Sequence, residues 1–429
     1  MFDIIRDPLW NNITLDDLAI RLVDTRAFQR LRYIRQLGLA YLVYPGATHT
    51  RFEHALGTWH LAGRTLEMLR GRGEIKGETE RDARVVAAAA LLHDIGHYPF
   101  SHALEEIGAP HHEDVAVALL TRGEIADVLR QLISEDAPER VVELIRGRST
   151  SPLQGLISGS LDLDKIEYLK RDALMCGVPY GEIDVDRLIH SLTVVRDPQA
   201  DRSAVGVSEK GLSALESLLF AKYQMYRNVY WHHAVRSATA MYKRLVADAI
   251  DRGALRVSEL ASFSDEALLH QLDETSLGER APSPLLQGLR ERRLFKRAFE
   301  CPSAELPEDA GEWIASDRRL VAAAEDQIAR ELGLNLGEVL LDYPVKTQML
   351  DLDLLVLHRS GGVRRLTGEG FEGSINLPSL SNELYRSARW LRVFVARPVT
   401  IDRKAVVRLA LTPEGQVRSR VANGETLLS

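Results

Sequence analysis

The stretch LLHDIGHYPFSH, residues 91–102, decides the fold that this sequence predicts. It overlaps the end of an apolar run, VVAAAALL at residues 85–92, which is bracketed by charge and is far shorter than the roughly 20 residues needed to span a bilayer. The run therefore predicts a buried helix with His93 and Asp94 at its end. Polar ligands held at the end of a rigid, buried helix are typical of a metal site, so we expect one here.

Histidines crowd around this stretch, since eight of the thirteen lie between positions 49 and 112. Imidazole and carboxylate donors together suit Mn, Fe, Co, Ni or Zn, and the lack of nearby Cys argues against the softest metals. Two His and two Asp donors would leave positions open on an octahedral ion for water and a phosphate oxygen, which favours hydrolysis. Chemistry alone leaves the remaining ligands open. The upstream and downstream candidates are His49, His54, His60, Asp162, Asp164 and Asp172.

Length and composition are those of a soluble protein. Of 429 residues, 45% are hydrophobic and 27% are charged, which is enough for one large core and an appended lobe. The two cysteines, Cys176 and Cys301, are too far apart to frame a small disulfide-linked domain, so a reducing compartment is expected. The amino terminus, MFDIIRDPLW, lacks the basic start and apolar stretch of an export signal. We therefore expect a cytoplasmic protein without a membrane partner.

The net charge of −7 argues against general binding to nucleic acid, because affinity for the phosphate backbone depends on surplus Lys and Arg. Residues 26–35, RAFQRLRYIR, are a local exception in which basic and aromatic residues are interleaved. This segment can contact nucleotides or nucleic acid, or it can be a helix with one solvated basic face. Nucleic acid therefore stays open as a partner but is not favoured.

Apolar periodicity predicts a mainly α chain up to about residue 270. The expected helices include residues 16–37, 51–69, 81–93 and, as the longest, 208–250. Beyond residue 277 prolines punctuate the chain and β-rich runs appear. The predicted strands cover residues 338–343, 352–357, 391–395 and 405–411. We therefore predict a helical core over residues 1–276 and a mixed α/β lobe over residues 277–429, which serves oligomerisation or regulation.

A family resemblance follows from the order of the His and Asp residues. His54, then His93-Asp94, then Asp164 resembles the H…HD…D signature of the HD-domain superfamily of phosphohydrolases. Over residues 3–245 the chain also resembles the deoxynucleoside triphosphate triphosphohydrolases, both the animal enzyme with an added SAM domain and its bacterial relatives. The blocks that carry this resemblance are DTRAFQRLRYIRQLG at 24–38, YPGATHTRFEHALG at 44–57, LLHDIGHYPFSH at 91–102, HHE at 111–113 and LDLDKIEYLKRD at 161–172. The resemblance implies an all-helical HD-domain core.

Enzymes of this family cut between the deoxyribose 5′ oxygen and the α-phosphorus, releasing a deoxynucleoside and intact triphosphate. By position, the resemblance implies that one divalent ion is held by His54, His93, Asp94 and Asp164. His102 matches the histidine proposed to protonate the leaving 5′ oxygen, a role that imidazole can fill near neutral pH; a helix-capping or core role is the alternative. Three further residues match the catalytic pocket and can equally be supporting scaffold: His97, His112 and Glu113.

The resemblance also implies contacts to the triphosphate and the sugar. Arg51, Lys165 and Lys222 match charged nucleotide contacts, although the family usually has Arg at the position of Lys222, which makes phosphate contact there less certain. A ribose 2′ hydroxyl is excluded by tight packing, so a 2′-deoxy preference is expected. The residues that match positions around the sugar are Gln36, Leu37, Tyr168, Asp172 and Tyr230. We expect Mg²⁺ to enter with the triphosphate.

Some family members are activated by nucleotides that bind between subunits. The positions that read a guanine there are matched by Asp24, Gln29 and Arg32. The match is incomplete, because Asp3 and Arg6 stand where the activated animal enzyme has Lys and Asn, and Asn12 replaces a His. The resemblance thus implies a homodimer or homotetramer with an activating nucleotide, or one in which this site is altered or absent.

These features predict a metal-dependent dNTP triphosphohydrolase. One alternative uses the same metal site to hydrolyse nucleoside monophosphates or cyclic nucleotides. The motif HDIGHYPFSH and the lack of a Gly-Tyr-Pro signature weaken its cyclic dinucleotide version. The other alternative is a nucleotide-sensing or nucleic-acid-binding protein that keeps the HD fold, against which the complete set of four metal ligands argues.

Overall fold

A two-stranded antiparallel hairpin lies at the start of the described chain. The structure, a computed structural model, describes residues 3–276, 283–345, 353–366 and 376–429. Strand β1 (Asp3–Asp7) pairs with β2 (Asn11–Leu15), and Asp7 lies opposite Asn11 where the chain turns. Ile13 and Leu15 of β2 are buried in the main apolar core, so the hairpin packs against the helices that follow it.

Helices form most of the structure up to residue 276. They are α1 (Asp17–Val23), α2 (Arg26–Arg30), α3 (Arg51–Gly71), α4 (Glu78–Leu92), α5 (His112–Thr121), α6 (Glu124–Leu132), α7 (Ala137–Ile145), α8 (Leu163–Cys176), α9 (Val185–Ser191), α10 (Leu212–Met225), α11 (His233–Asp251) and α12 (Asp265–Ser276). Helix α3 packs against both α4 and α8, and the three helices share one apolar core. The prediction of a mainly α fold with a helical core is confirmed.

The helix predicted over residues 16–37 is wrong as a single element. It is divided into α1, α2 and a 3₁₀ turn at Leu31–Tyr33. Thr25 marks the division, because its side-chain oxygen accepts the backbone N–H of Phe28 at 3.4 Å and so starts α2, as Asp16 starts α1 by accepting that of Ala19.

The long helix predicted over residues 208–250 is also interrupted. Helix α10 ends in a π turn, Tyr226–Tyr230, and α11 begins only after the non-helical Trp231 and His232. His232 caps α11, since its Nδ1 accepts the backbone N–H of Ala234 at 3.3 Å. Short π turns inside helices are frequently found at functional sites, and this one supplies two tyrosines to the cavity described below.

Two further sheets contain the remaining described strands. These are β3 (Leu192–Arg196), β4 (Ser203–Ser208), β5 (Lys296–Pro302), β6 (Val339–Asp342), β7 (Leu354–Leu357), β8 (Val363–Leu366) and β9 (Trp390–Val395). The first sheet has the order β3-β4-β7-β8, with β4 and β7 parallel, and the second has the antiparallel order β5-β9-β6. The helices after residue 283 are α13 (Pro284–Arg290), α14 (Glu312–Ser316), α15 (Arg318–Glu331), α16 (Leu377–Ala388), α17 (Arg403–Leu411) and α18 (Glu414–Asn423).

One of the four predicted C-terminal strands is wrong. Residues 405–411 form part of α17, because the buried residues Ala405, Val406, Leu409 and Ala410 recur at helical spacing. Asp402 caps this helix by accepting the backbone N–H of Lys404 at 3.1 Å. The other three runs contain β6, β7 and β9, although Leu352 at the start of the second lies outside the described residues.

The C-terminal region contributes to several apolar cores. Leu354 and Val356 of β7 join the core of the N-terminal helices, whereas β5, β6 and β9 pack with α15, α17 and α18 around a separate core that includes Leu391 and Val393. The boundary predicted between residues 276 and 277 adjoins residues 277–282, which lie outside the described residues, and it stays a prediction. Across the described ranges, no helix is both long and apolar enough to cross a membrane.

Candidate metal centre and adjoining cavity

The four residues predicted to hold a metal ion converge on one point. His54 lies in the first turn of α3, His93 and Asp94 follow the end of α4, and Asp164 lies in the first turn of α8. The Nε2 atoms of His54 and His93 are 3.1 Å apart, and Asp164 Oδ1 lies 3.0 Å from the first and 3.5 Å from the second. The two oxygens of Asp94 lie 3.6 Å and 3.5 Å from the same two nitrogens. Such distances suit neighbouring ligand atoms that are each about 2.1 Å from one divalent ion.

The structure separates the ligand candidates that the sequence leaves open. His49 lies 2.7 Å from Asp172, Nε2 to Oδ1, so these two residues pair with each other. Asp162 is the N-cap of α8 and accepts a backbone N–H at 2.9 Å. His60 lies more than one turn beyond His54 on α3, and its ring packs against Trp10 with the ring centroids 5.7 Å apart.

The donor set fits a divalent transition metal. His54 is fully buried and Asp94 is 3% exposed, whereas the side chain of Asp164 is 33% exposed, so the cluster is shielded on one side and open on the other. His93 Nδ1 lies 2.9 Å from the carbonyl oxygen of Ala90, which orients the ring with Nε2 toward the cluster. Two imidazoles and two carboxylates without a thiolate suit Mn, Fe, Co, Ni or Zn.

Burial and neighbouring charge set the protonation of this cluster. Burial lowers the pKa of His54, but hydrogen bonds with Asp164 and Glu167 outweigh it and raise the pKa to about 10. Burial raises the pKa of Asp164, yet hydrogen bonds with His54 and His93 hold that pKa well below its ordinary value. A divalent cation bound to these residues would take the place of protons on the histidines.

A second polar cluster lies beside the first and is centred on Glu105, which the sequence analysis missed. Glu105 Oε1 lies 2.7 Å from His112 Nδ1, and Oε2 lies 3.2 Å from His102 Nδ1. His97 stacks on His112 with ring centroids 3.8 Å apart, and its Nε2 lies 3.0 Å from Asp94 Oδ1. His97 thus links the two clusters. The signal for Glu105 was its three-residue spacing from His102, which places both on one face of a helical turn.

Within the second cluster, burial lowers the pKa of His97 well below its ordinary value and that of His112 to about 4, so both rings are neutral near pH 7. Burial raises the pKa of Glu105, but hydrogen bonds with His102 and His112 outweigh it and hold the pKa well below the ordinary range. Burial raises the pKa of Glu113, whose carboxylate lies at the rim. His102 differs from its neighbours because its side chain is 56% exposed.

The turn that presents His102 has an unusual backbone. Phe100 and Ser101 both have positive φ, 57° and 67°, a region that residues with side chains seldom occupy. Asp265 holds this turn, since its Oδ1 accepts the Phe100 N–H at 2.8 Å and its Oδ2 accepts the Arg35 N–H at 3.0 Å. Strained backbone that persists in this way is often found at functional sites, where it fixes the position of a reacting side chain.

A cavity of about 740 Å³ lies beside the candidate metal site formed by His54, His93, Asp94 and Asp164, and its volume is typical of small-molecule sites. It is lined by His93, Asp94 and Asp164 of the predicted metal ligands and by all the predicted catalytic residues, His97, His102, His112 and Glu113. The predicted nucleotide contacts that line it are Gln36, Leu37, Arg51, Lys165, Tyr168, Asp172 and Tyr230. One cavity therefore brings together residues that lie almost 200 positions apart in the sequence.

The three predicted cationic contacts differ in position. Arg51 Nη1 donates to Asp94 Oδ2 at 2.7 Å, so its charge lies directly beside the metal cluster. Lys165 lines the cavity, whereas Lys222 does not. Lys222 is 4% exposed, its Nζ lies 5.7 Å from the ring centroid of the cavity residue Tyr226, and burial followed by the charge of Lys165 lowers its pKa to about 7.

The predicted sugar-binding residues lie together and are already bonded to one another. Asp172 accepts a hydrogen bond from the hydroxyl of Tyr230 at 2.7 Å with Oδ2, and its Oδ1 faces His49. The rings of Tyr168 and Tyr230 are 6.4 Å apart, centroid to centroid, in an edge-on arrangement. Gln36 is 6% exposed, and its Oε1 has no hydrogen-bond partner among the described residues.

The three residues predicted to read an activating nucleotide do not line the cavity. Arg32 is exposed, donates from Nε to Gln29 Oε1 at 2.8 Å, and lies with its guanidinium carbon 3.5 Å from the ring centroid of Phe52. Asp24 is an exposed residue that follows α1. The hydrogen bond places Arg32 beside Gln29, and the role of the three residues as an activator site stays a prediction.

Comparison with known proteins assigns this arrangement to a family. The HD domain family matches residues 51–171, a range that contains all four converging residues His54, His93, Asp94 and Asp164. The chain belongs to the HD-domain family. The region known as the HD associated region matches residues 183–369, which include the π turn and most of the sheet that joins the two parts of the chain. The resemblance to the HD-domain superfamily is thereby confirmed.

Relatives of this HD-domain protein include both uncharacterized and named members. The uncharacterized protein MJ1154 of Methanocaldococcus jannaschii is 34% identical over 368 residues, covering 85% of this chain and 73% of its own length. Deoxynucleoside triphosphate triphosphohydrolase SAMHD1 of Bos taurus is 31% identical over 400 residues, covering 78% of this chain and 67% of its own length. A crystal structure of a phosphohydrolase from Bacteroides thetaiotaomicron superposes with a TM-score of 0.72 at 24% identity over 92% of this chain and all of that chain, which is a likeness of fold. The metal-compatible cluster within an HD domain supports a metal-dependent hydrolase.

Proposed function

We propose that this protein hydrolyses deoxynucleoside triphosphates to deoxynucleoside and inorganic triphosphate. The observation that carries the proposal is that one cavity joins the His and Asp cluster, the pair His102 and Glu105, and the cations Arg51 and Lys165. The activity named for the Bos taurus relative agrees with this combination.

The substrate lies in this cavity with its phosphates at the metal end. Arg51 and Lys165 offset the phosphate charge there, and Arg51 suits this role because its guanidinium can bond two oxygens at once. The sugar lies between Gln36, Tyr168 and Asp172, where an unpaired buried amide oxygen is ready to accept from a hydroxyl. Burying that oxygen without a partner is unfavourable, so a sugar hydroxyl that supplies one stabilises the complex.

Hydrolysis breaks the bond between the α-phosphorus and the 5′ oxygen. A water oxygen bonds to the α-phosphorus and loses one of its two protons to solvent, while the 5′ oxygen leaves with the bonding electron pair and takes a proton from His102, which solvent then reprotonates. The products are a deoxynucleoside with a free 5′ hydroxyl and inorganic triphosphate. A divalent ion on the four ligands would supply Lewis acidity, which acidifies water and polarises a phosphoryl oxygen.

The geometry around His102 suits a general acid. Glu105 bonds Nδ1 at 3.2 Å, which leaves Nε2 as the nitrogen available to the cavity, 3.5 Å from Arg51 Nη2. A carboxylate at Nδ1 stabilises the protonated ring and fixes its orientation, as the acidic partner of a catalytic histidine does in other hydrolases. His97 and His112 pack around the ring and limit its movement.

The test of this proposal is product analysis. Purified protein is incubated with Mn²⁺ or Mg²⁺ and with each dNTP and rNTP, singly and in mixtures, and the products are resolved by anion-exchange chromatography. We expect deoxynucleoside and triphosphate from dNTPs, and we expect both to disappear in His93→Ala. No triphosphate under any combination would contradict the proposal.

The same experiment separates the alternative substrates. Orthophosphate or a nucleoside monophosphate as product would favour a nucleoside monophosphatase or a cyclic nucleotide phosphodiesterase that uses the same metal site. A nucleotide-sensing or nucleic-acid-binding role would be favoured by tight DNA binding at physiological salt in spite of the net charge of −7.

The assembly and its regulation form a further part of the proposal. The family resemblance supports a homodimer or homotetramer and an activating nucleotide at Asp24, Gln29 and Arg32. We expect hydrolysis to require a mixture of nucleotides, and we expect this stimulation by the mixture to disappear in Arg32→Ala. Activity on single dNTPs that is unchanged in Arg32→Ala would contradict the activator site without affecting the reaction itself.

A further inference from the structure

We infer that the N-terminal hairpin is part of the metal centre, because Asp7, Arg171 and Glu167 form a buried chain of charged hydrogen bonds that orients the imidazole of His54. These are positioning residues rather than catalytic ones. The inference concerns metal binding and is independent of which nucleotide the protein hydrolyses. It depends on the assignment of His54 as a metal ligand.

The chain of contacts starts at the metal ligand. Glu167 Oε2 lies 2.6 Å from His54 Nδ1, the ring nitrogen that faces away from the metal cluster. Glu167 Oε1 accepts from Arg171 Nε at 2.8 Å and from the indole N–H of Trp10 at 2.9 Å, and Arg171 Nη2 lies 2.7 Å from the same oxygen as an ion pair. Both oxygens of this carboxylate are therefore held, and its position leaves the His54 ring little freedom to turn.

The chain ends in the turn of the hairpin. Arg171 Nη1 donates to Asp7 Oδ2 at 3.0 Å. Asp7 Oδ1 accepts the backbone N–H groups of Leu9 and Trp10 at 2.8 Å and 2.7 Å, so its carboxylate is fixed by the turn that joins β1 to β2. The hairpin thus reaches Glu167, and through it His54, by two routes. One runs from Asp7 through the guanidinium of Arg171, and the other runs directly from the indole of Trp10.

Burial makes these contacts unusual. His54, Glu167 and Arg171 are each 0% exposed, and Asp7 is 4% exposed. Because desolvation of buried charges offsets much of their attraction, apolar replacement of such groups is often neutral or stabilising. A gain in stability therefore explains these buried charges poorly, whereas the orientation of the His54 imidazole explains them directly.

The orientation has a clear chemical use. A histidine that binds a metal through Nε2 commonly donates its Nδ1–H to a carboxylate, which fixes the tautomer and makes Nε2 a stronger metal ligand. Glu167 provides that carboxylate, while Nε2 of His54 faces His93 and Asp164. Arg171 Nε donates to the other oxygen of the same carboxylate at 2.8 Å, so its positive charge lies beside the group that contacts His54.

The packing around Glu167 has no spare room. Gly57 lies one turn after His54 on α3, and a Cβ atom there would lie 2.8 Å from Arg171 Nη2 and would overlap the Glu167 carboxylate. The match to the HD domain begins at residue 51, so Asp7 and Trp10 lie outside it. The inference therefore assigns part of the metal affinity to a segment before the HD domain.

The test measures metal binding without nucleotide. Full-length protein is freed of metal by dialysis against a chelator, and the dissociation constant for Mn²⁺ is measured by isothermal titration for the wild type, Glu167→Gln and Asp7→Asn. We expect Glu167→Gln to weaken binding by roughly 10- to 100-fold, in line with other residues that support metal ligands. Asp7→Asn should also weaken binding, and the two effects should be non-additive in the double variant because Asp7 acts on His54 through Arg171 and Glu167.

A matched control is Glu325→Gln, which alters a buried carboxylate bonded to an arginine, Arg244, in the C-terminal part of the chain. It should leave the Mn²⁺ affinity unchanged even if the midpoint of thermal unfolding moves. If the charge-altering variants do not fold, Trp10→Phe removes only the indole donor and should weaken Mn²⁺ binding several-fold.

Folded Glu167→Gln and Asp7→Asn proteins with wild-type Mn²⁺ affinity would overturn the inference. An unaltered affinity in Trp10→Phe, if the other two variants do not fold, would do the same. A wild type that binds Mn²⁺ but releases no triphosphate from dNTPs would contradict the proposed reaction while the inference about the hairpin stands.

Discussion

Glu105 Oε2 lies 3.2 Å from Nδ1 of His102, and no other predicted catalytic residue in the described chain is both so exposed and so directly bonded to a carboxylate. This relationship separates His102 from His97 and His112, whose low pKa values leave them neutral. Its exposure and its contact with Glu105 are the reasons why His102 is the proposed general acid.

We therefore expect His102→Ala to lower kcat for dNTP hydrolysis by about 10²- to 10⁴-fold, the range typical of a lost general acid. Glu105→Gln should lower kcat by a smaller factor, because the ring remains but its protonated form loses an ionic partner. Steady-state kinetics at several pH values measure both effects. Metal content and circular dichroism show whether the variants remain folded and loaded.

The control for this prediction is Glu80→Gln, which removes an exposed carboxylate paired with Arg70. Its kcat should equal that of the wild type. If Glu105→Gln also retained full kcat with normal metal content, Glu105 would be only a structural partner of His112, to which it is equally bonded.

Metal content gives a second prediction. His93→Ala and Asp164→Ala each remove one of four converging donors, so we expect the purified proteins to contain far less divalent metal than the wild type and to show no hydrolysis. Elemental analysis of metal per chain measures this. His270→Ala, which changes an exposed histidine on α12, is the control and should retain the metal. Full metal content in Asp164→Ala would remove it from the ligand set.

The sequence predicted which four residues converge at the candidate metal site, but it did not predict the residues that support them. His93 and Asp94 could be found because a buried helix ends at a polar pair, and the order of His54 and Asp164 around that pair is a family signature. Glu105 was missed because it looks like an ordinary helical carboxylate until its distance to His102 is known.

The chain from Asp7 to Glu167 was out of reach for a different reason, since 160 residues separate its ends and only the tertiary structure joins them. Similar limits applied to the fold. Residues 405–411 have a strand-like composition, and only the helical recurrence of their buried positions and the Asp402 cap show that they form a helix. The break at Tyr226–Tyr230 likewise has no strong local signal, because no Gly or Pro marks it.

Tyr230 gives a third prediction, about sugar selection. Its hydroxyl donates to Asp172 Oδ2 at 2.7 Å, while its ring packs near Tyr168. Tyr230→Phe removes the hydrogen bond and keeps the ring, so we expect KM for dNTPs to rise by up to about tenfold, equivalent to roughly 1.4 kcal/mol, with the preference over rNTPs retained. Tyr230→Ala also removes the ring, so rNTP hydrolysis relative to dNTP hydrolysis should rise.

The measurement is the ratio of kcat/KM for dATP and ATP in each protein. Equal ratios in the wild type and Tyr230→Ala would show that the ring takes no part in excluding the 2′ hydroxyl. A loss of preference in Tyr230→Phe would instead assign the selection to the hydroxyl and its bond to Asp172.

The last prediction concerns stability and rests on Glu325, which joins α15 to α11 and β6. Its carboxylate accepts from Arg244 Nη1 and from the Leu341 N–H, both at 2.8 Å, and burial raises its pKa to about 7. Because the pKa in the folded state lies above its ordinary value of 4.5, the folded protein binds more protons than the unfolded chain between these values. The contribution of Glu325 to the free energy of unfolding is therefore greatest at low pH and is lost as the pH rises through about 7.

Glu325→Gln removes this titration, since Gln resembles the protonated form at every pH. From pH 5.5 to pH 8, the free energy of unfolding of the wild type should fall by about 2 kcal/mol more than that of the variant. The reason is that roughly 1.5 pH units of this range lie below the pKa of Glu325 in the folded protein. Urea unfolding of both proteins at the two pH values measures the difference. If the two proteins differed by the same amount at pH 5.5 and pH 8, the carboxylate of Glu325 would titrate outside this range, and its bond to Arg244 would outweigh its burial.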